Sequence, residues 1–344
     1  MKIYRLLKFA SILRNPRVRL LGLWLMYVLR RRCIGVYVDS VYACNYRCRM
    51  CYFSDEAERK TRRGKLTADD LEAMGKALLP HALKLQIGCG AEPTMDYEGM
   101  KRLIEMGKRY GVPYISITTN GALLNKSLLI DMVSSGLDEI TLSLHGIREE
   151  TYEFMMGANG KHGHFRELVR QIEEAKKEYP NFRLRINYTM NADNVLELKE
   201  WDTLFGGIDV NVVQLRVGQR IGNSAYSNFD LADVRKAMPQ VVVPLVERLR
   251  AKGVTVIAPE VNNLDRIVEG ADEDNATALF NTFAYCNVSP TNHWQDDFDY
   301  HKETFVDYCQ RHKIGRLLLR VALNPNLKPD IENSFLMKPA NYKL

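Results

Sequence analysis

An α/β fold, with a parallel sheet rolled into a partial (β/α)6 TIM-like barrel, is what three features of this 344-residue chain predict. Strand-like runs alternate with amphipathic helical patterns at βα-unit spacing from residue 33 to residue 252. Repeated units of that length favour parallel pairing with helices outside. The composition, 46% hydrophobic and without repeats or low-complexity tracts, suits one large core with flanking segments.

The chain divides into a helical segment (1–32), the barrel (33–252) and an extension that caps it (253–344). Residues 3–13 read as an amphipathic helix, with Ile3, Leu6, Leu7, Ala10 and Leu13 on one face, ended by Asn15-Pro16. The apolar run from Leu20 to Leu29 is bracketed by Arg17, Arg19 and Arg30-Arg31-Arg32. A bilayer span needs about 20 apolar residues, so this run is too short to cross one. Residues 1–37 hold nine Lys or Arg and no acid, which leaves the remainder at a formal charge of −3. Segment 1–32 therefore reads in two ways. It is a helix packed on the barrel, or an interfacial anchor with Trp24 and Tyr27 at headgroup level and arginines near anionic lipid. Nucleic acid is not favoured, because the basic charge does not extend over the body.

Strands are expected at 34–41, 83–89, 114–118, 139–144, 182–190 and 210–216. Helices are expected near 67–79, 96–110, 127–135, 164–178 and 193–205, with a long one at 231–252. The extension offers one strand, 254–258, and an aromatic loop, 285–301, in which His293, Asp297 and His301 read as an ordinary polar loop. In barrels of this kind, reactive groups gather at the C-terminal ends of the strands.

Directly after the first strand stand Cys44, Cys48 and Cys51, at C-x3-C-x2-C spacing. Thiolates at such spacing hold a soft metal centre, and three of them leave one iron of a four-iron cluster open. A zinc site would need a fourth ligand, for which His81 and Cys89 are the next candidates. The scattered Cys33, Cys89, Cys286 and Cys309 form no disulfide framework, and the chain reads as cytoplasmic.

The loop ending Cys51-Tyr52 resembles the signature of the radical S-adenosylmethionine (radical SAM) superfamily. Companion stretches follow in that family's order: Gly88-Cys89-Gly90-Ala91-Glu92-Pro93, Thr118-Thr119-Asn120-Gly121, Leu142-Ser143-Leu144-His145-Gly146 and Met190-Asn191. The likeness is to the molybdenum-cofactor-biosynthesis and peptide-maturase branch. It lacks that branch's cysteine-rich C-terminal domain, since only Cys286 and Cys309 lie there. The resemblance implies a [4Fe-4S] cluster on the three cysteines, with SAM on the open iron. It makes Tyr46, Tyr52, Gly90, Ala91, Glu92, Thr119, Asn120, Ser143 and Asn191 candidate cofactor contacts. His145 stands where relatives carry Asp. Met156 stands where many carry an arginine, whose role Arg148 could take. No catalytic side chain is assigned. Arg216, after the sixth strand, would suit an anionic substrate.

The implied activity is reductive cleavage of SAM to a 5′-deoxyadenosyl radical that abstracts hydrogen from a substrate. An electron donor such as flavodoxin or ferredoxin would be required. The basic N-terminus points to a lipid or lipid-linked saccharide at the inner face of a membrane. A peptide substrate is the alternative, and a non-catalytic iron–sulfur or zinc protein is the reading of another class.

Overall fold

Each wall strand alternates in character. Leu85, Ile87, Ile117, Ile140, Leu142, Leu184 and Ile186 have no exposed surface, whereas the positions between them, such as Gln86, Ser116, Thr141 and Asn187, are polar. A strand with one apolar and one polar face buries the first under helices and turns the second inward. The computed structural model describes residues 15–324, apart from 221, 261–263 and 265–274.

In chain order the elements are α1 (Pro16–Val28), β1 (Ile34–Val38), α2 (Glu56–Thr61), α3 (Ala68–Leu78), β2 (Ala82–Ile87), α4 (Tyr97–Arg109), β3 (Ile115–Thr119) and α5 (Lys126–Ser134). Then come β4 (Glu139–Leu144), α6 (Glu149–Met156), α7 (His162–Glu178), β5 (Arg183–Met190), α8 (Trp201–Phe205) and β6 (Val212–Val217). The chain continues through α9 (Ala232–Ala237), α10 (Val243–Ala251), β7 (Thr255–Ile257), α11 (Asn275–Ala284), β8 (Tyr285–Ser289), β9 (Asn292–His293), α12 (Phe305–Arg311) and α13 (Ile314–Leu323).

The strand order is β7-β6-β5-β4-β3-β2-β1-β8-β9, parallel except for the β8–β9 pair. Laid flat, β1 and β5 would stand about 19 Å apart at the usual strand spacing. Yet Tyr37 of β1 and Arg185 of β5 feel each other electrostatically. The sheet is therefore rolled, and it stays open because its two edges do not pair with each other.

Three elements differ from the sequence-based expectation. The run 285–289 is a strand, not a loop, because β1 presents a free edge on which it pairs in parallel. The expected helix 231–252 is broken by a π-helical turn at Met238–Val242. Pro239 and Pro244 lack the N–H groups that a regular ladder needs there. The expected helix 193–205 begins as a 3-10 turn, Val195–Glu200, before α8.

At the N-terminus, the helix expected at 3–13 lies outside the described residues. The run from Leu20 onward belongs to α1, which Asn15 caps by accepting the Arg17 N–H at 3.0 Å. Leu20 and Leu23 turn inward, and α1 packs on α11 and α13. Tyr27 does not face outward as an anchor would need. Its ring meets Phe305 edge-on at 6.4 Å, and Gly315 lies beneath it. Trp24 is half-buried against the same core. The outward stripe is aliphatic instead: Val18, Leu21, Leu25, Val28 and Leu29.

Trp294, Phe298, Phe305 and Tyr308 knit the extension together. His301 bonds Asp70 at 2.9 Å, while Asp297 takes Tyr308, Arg311 and His312. His293, Asp297 and His301 thus sit in separate contacts.

Candidate active site at the barrel mouth

Past β1 the chain crosses the mouth, and its turns bring Cys44 and Cys51 near enough to Cys48 for each to act on its thiol electrostatically. The Cys51 N–H donates to the Cys48 carbonyl at 2.9 Å, and the Arg47 guanidinium spans the carbonyls of Cys44 and Tyr46 at 2.9 and 2.8 Å. The loop is anchored to α6: the Arg49 N–H donates to the Met155 carbonyl at 2.9 Å. Gly157 follows with φ of 57°, where a Cβ would stand 2.6 Å from the Arg47 carbonyl oxygen. Only glycine allows that approach.

Burial drives the Cys44 thiol up to about 12 and the Cys48 thiol well above its ordinary value; Cys51 and Cys44 add repulsion at Cys48. Such a trio stays protonated until a cation takes the thiolates, which is the behaviour of a metal site. Among the described residues, no three His, Cys, Asp or Glu side chains converge closely enough for a single metal ion. Asn120 donates from Nδ2 toward Cys44 Sγ at 3.9 Å and to Asn45 Oδ1 at 2.8 Å, a contact of the kind that tunes cluster potential.

Two buried carboxylates fix the surrounding loops. Glu92 accepts from Thr94 N–H (3.2 Å), Thr94 Oγ1 (2.5 Å), Thr119 Oγ1 (2.6 Å) and Asn120 N–H (2.8 Å). Its own N–H donates to the Ala43 carbonyl, so one residue joins the loops after β1, β2 and β3. Burial still raises its pKa, against the pull of those donors. Sequence reasoning missed the second, Asp39. Its carboxylate accepts the N–H groups of Cys89 (2.8 Å), Gly90 (2.9 Å) and Ala91 (3.2 Å). The acid closing the apolar β1 run was the available signal. Gly88 makes the turn possible: φ is 78°, and a Cβ would meet the Thr118 carbonyl oxygen at 2.5 Å.

The remaining candidates fall around the same mouth. Tyr52 is buried, with its hydroxyl on the Gly90 carbonyl, and Tyr46 shares a 3.3 Å hydrogen bond with Tyr152. Ser143 lies on the lumen side of β4, half-buried. Asn191 is buried beneath the sulfurs of Met50 (3.3 Å) and Met155 (3.9 Å) and tied to Asn194. Burial, then the charge of Arg216, lowers His145 to about 4, so the ring is neutral at pH 7, and its Nδ1 is buried. Arg148 does not replace the arginine missing at Met156, because its guanidinium pairs with Glu200 away from the mouth.

Glu92→Gln is expected to unlock this arrangement. Gln keeps one acceptor oxygen and turns an NH2 toward donors that already point inward, at a cost of about 1–3 kcal/mol. The midpoint of thermal unfolding and the SAM dissociation constant should both worsen. Wild-type values for both would show that the carboxylate charge is unnecessary.

Comparison with known proteins agrees with this geometry. A family model described as the Radical SAM superfamily matches residues 39–209. The chain is 26% identical over 201 residues to a probable GTP 3′,8-cyclase of Sulfolobus acidocaldarius, covering 57% of this chain and 61% of that protein. It is 28% identical over 160 residues to an Fe-coproporphyrin III synthase of Methanosarcina barkeri, covering 45% of this chain and 36% of that one. The chain thus spans less than two thirds of the length of either relative. Streptococcus suis SuiB, solved bound to S-adenosylmethionine, shares the fold at a TM-score of 0.56 and 13% identity, over 77% of this chain and 60% of its own.

Proposed function

This chain belongs to the radical SAM superfamily, and from that membership we propose an enzyme that abstracts hydrogen from a lipid or lipid-linked substrate at a membrane surface. When bound, the [4Fe-4S] cluster and SAM supply the hard chemistry, reductive cleavage of SAM to methionine and a 5′-deoxyadenosyl radical. The chain's residues do the rest. Cys44, Cys48 and Cys51 hold the cluster. Glu92 and Asp39 fix the loops that carry Gly90, Ala91, Thr119 and Asn120 toward SAM, and the barrel wall keeps water out. Arg47, Arg59, Arg62 and Arg63 line a cavity of about 240 Å³ beside Cys44, a cationic face suited to an acidic electron donor such as flavodoxin or ferredoxin.

The observation that carries the lipid reading is the outward stripe of α1. Val18, Leu21, Leu25, Val28 and Leu29 are 38–58% exposed, in a segment whose charges are all basic. Aliphatic side chains beside arginines match a helix lying in an anionic interface. No helix among the described residues is long and apolar enough to cross a membrane. A peptide substrate is the competing reading, and SuiB has been solved bound to its precursor peptide SuiA. At 13% identity that likeness extends to the fold alone.

Flotation with phosphatidylglycerol-containing vesicles tests the choice. The wild-type chain should float at low salt and less so at high salt, since each basic residue near the surface contributes about 1 kcal/mol and is screened. Leu25→Glu combined with Val28→Glu, both at exposed positions, should stay folded and stop floating. A wild-type chain that ignores the vesicles at low salt removes the lipid reading.

A further inference from the structure

Among the described residues, three cations stand inside the barrel without an ion pair to a carboxylate. Lys84 on β2, Arg185 on β5 and Arg216 on β6 alternate with the buried Leu85, Leu184, Ile186 and Leu215, so their side chains enter the lumen. Among the described residues, Lys84 Nζ has neither a hydrogen bond nor an ion pair. Its neighbours are the rings of Tyr37 and Tyr114, at 5.8 and 5.7 Å. Arg185 reaches only neutral oxygens, those of Asn187 at 3.0 Å and Gln214. Arg216 has no hydrogen-bond or ion-pair partner among the described residues.

Nearby acids do not close the gap. Glu139, at the start of β4, has Arg183 at 3.8 Å and only partly offsets the charge of Lys84, and Asp39 at the rim is taken up by three backbone N–H groups. The cations feel their confinement: burial, then Arg185, lowers Lys84 to about 8 and Arg216 to about 10. Like charges crowded together in a half-buried lumen are costly unless a ligand brings the opposite charge. Arg185 is in register with Val212, four residues before Arg216. At the usual rise, the Arg185 backbone therefore lies about 13 Å deeper than that of Arg216, and the long side chains bring the charges within electrostatic reach of each other.

We propose that the lumen is an oxyanion-binding chamber and that the substrate carries a carboxylate or phosphate, held by Lys84, Arg185 and Arg216. This deepens the function proposed above and rests on its reading of the lumen as the reaction chamber. With the charged end held deep, the uncharged part of the substrate points up to the rim loops, where hydrogen would be removed. Charge thus fixes which end of the molecule reacts.

The test uses the full chain with its cluster reconstituted, titrated calorimetrically with inorganic phosphate, pyrophosphate and succinate at constant ionic strength. At least one should bind saturably, and the tighter one tells phosphate from carboxylate. Lys84→Met and Arg216→Met should each weaken that binding about tenfold or more, the size of a lost charge-assisted contact. In anion-free buffer, Lys84→Met should raise the midpoint of thermal unfolding, because it removes a desolvated charge that Arg185 repels. Burial penalises the charged amine. That gain should therefore be full below pH 8 and fade as pH rises toward 10.5, where the unfolded lysine also loses its proton.

Absence of saturable oxyanion binding, unchanged affinity in both variants, or a lowered unfolding midpoint for Lys84→Met would each overturn the proposal. SAM cleavage by the wild-type chain is measured separately on the same preparation. Anion uptake without SAM cleavage would overturn the function proposed above and uphold this chamber. SAM cleavage without anion uptake would overturn the chamber alone.

Discussion

Replacing Cys44, Cys48 or Cys51 singly with Ala is expected to reduce bound iron from about four per chain to near zero and to abolish SAM cleavage. No other side chain stands ready to take the lost position. Cys89, the next cysteine in the sequence, belongs to the loop held by Asp39. The fold should survive, because a buried thiol without its metal contributes only packing. At Cys48 that packing includes a 4.0 Å contact with Met156 Sδ. Elemental analysis and anaerobic assay for 5′-deoxyadenosine give the two readouts, and circular dichroism confirms folding. Full iron retention in any one variant would remove that cysteine from the ligand set. Equal zinc content in place of iron would favour the zinc reading instead.

The order of the wall strands was legible because each βα unit carries its own signal, an apolar run followed by a helical period. The mouth was legible for a related reason. Cysteine spacing and the small residues near Gly88 and Gly90 are local, so they survive being read without contacts. What stayed hidden depends on partners distant in sequence. Strand β8 is only five residues long and forms because β1 offers an edge. Asp39 looks like any acid at a strand end until the loop at 89–91 folds over it. Glu92 read as a ligand carboxylate, and only the fold reveals four donors already converging on it. Lys84 and Arg185 are 101 positions apart, so only the rolled sheet brings both into the lumen. The same limit applies to α1. Its sequence offered packing and membrane contact as alternatives, and the helix buries one face on the core while an aliphatic face stays exposed.

That division leads to the second large effect, on deleting residues 1–30. The deleted chain is expected to unfold or aggregate instead of surviving as a trimmed barrel. Leu20 and Leu23 are fully or nearly buried, and α1 covers α11 and α13. Losing two such leucines costs about 2–5 kcal/mol each, against a total stability of about 5–15 kcal/mol. Tyr27 adds its contact with Phe305. The deletion keeps Arg32, whose guanidinium holds the carbonyls of Leu79 (2.9 Å), Ala82 (3.2 Å) and Tyr110 (2.5 Å). Any loss is then due to α1 and not to that knot. Leu20→Ala alone should lower the unfolding midpoint by several degrees, whereas Leu25→Ala, on the outward face, should barely move it. A deleted chain with wild-type unfolding behaviour would show that α1 is an appendage, free to bind a surface without supporting the fold. Comparing the two point variants in flotation separates the faces further: the inner leucine should matter to stability alone and the outer one to vesicle binding alone.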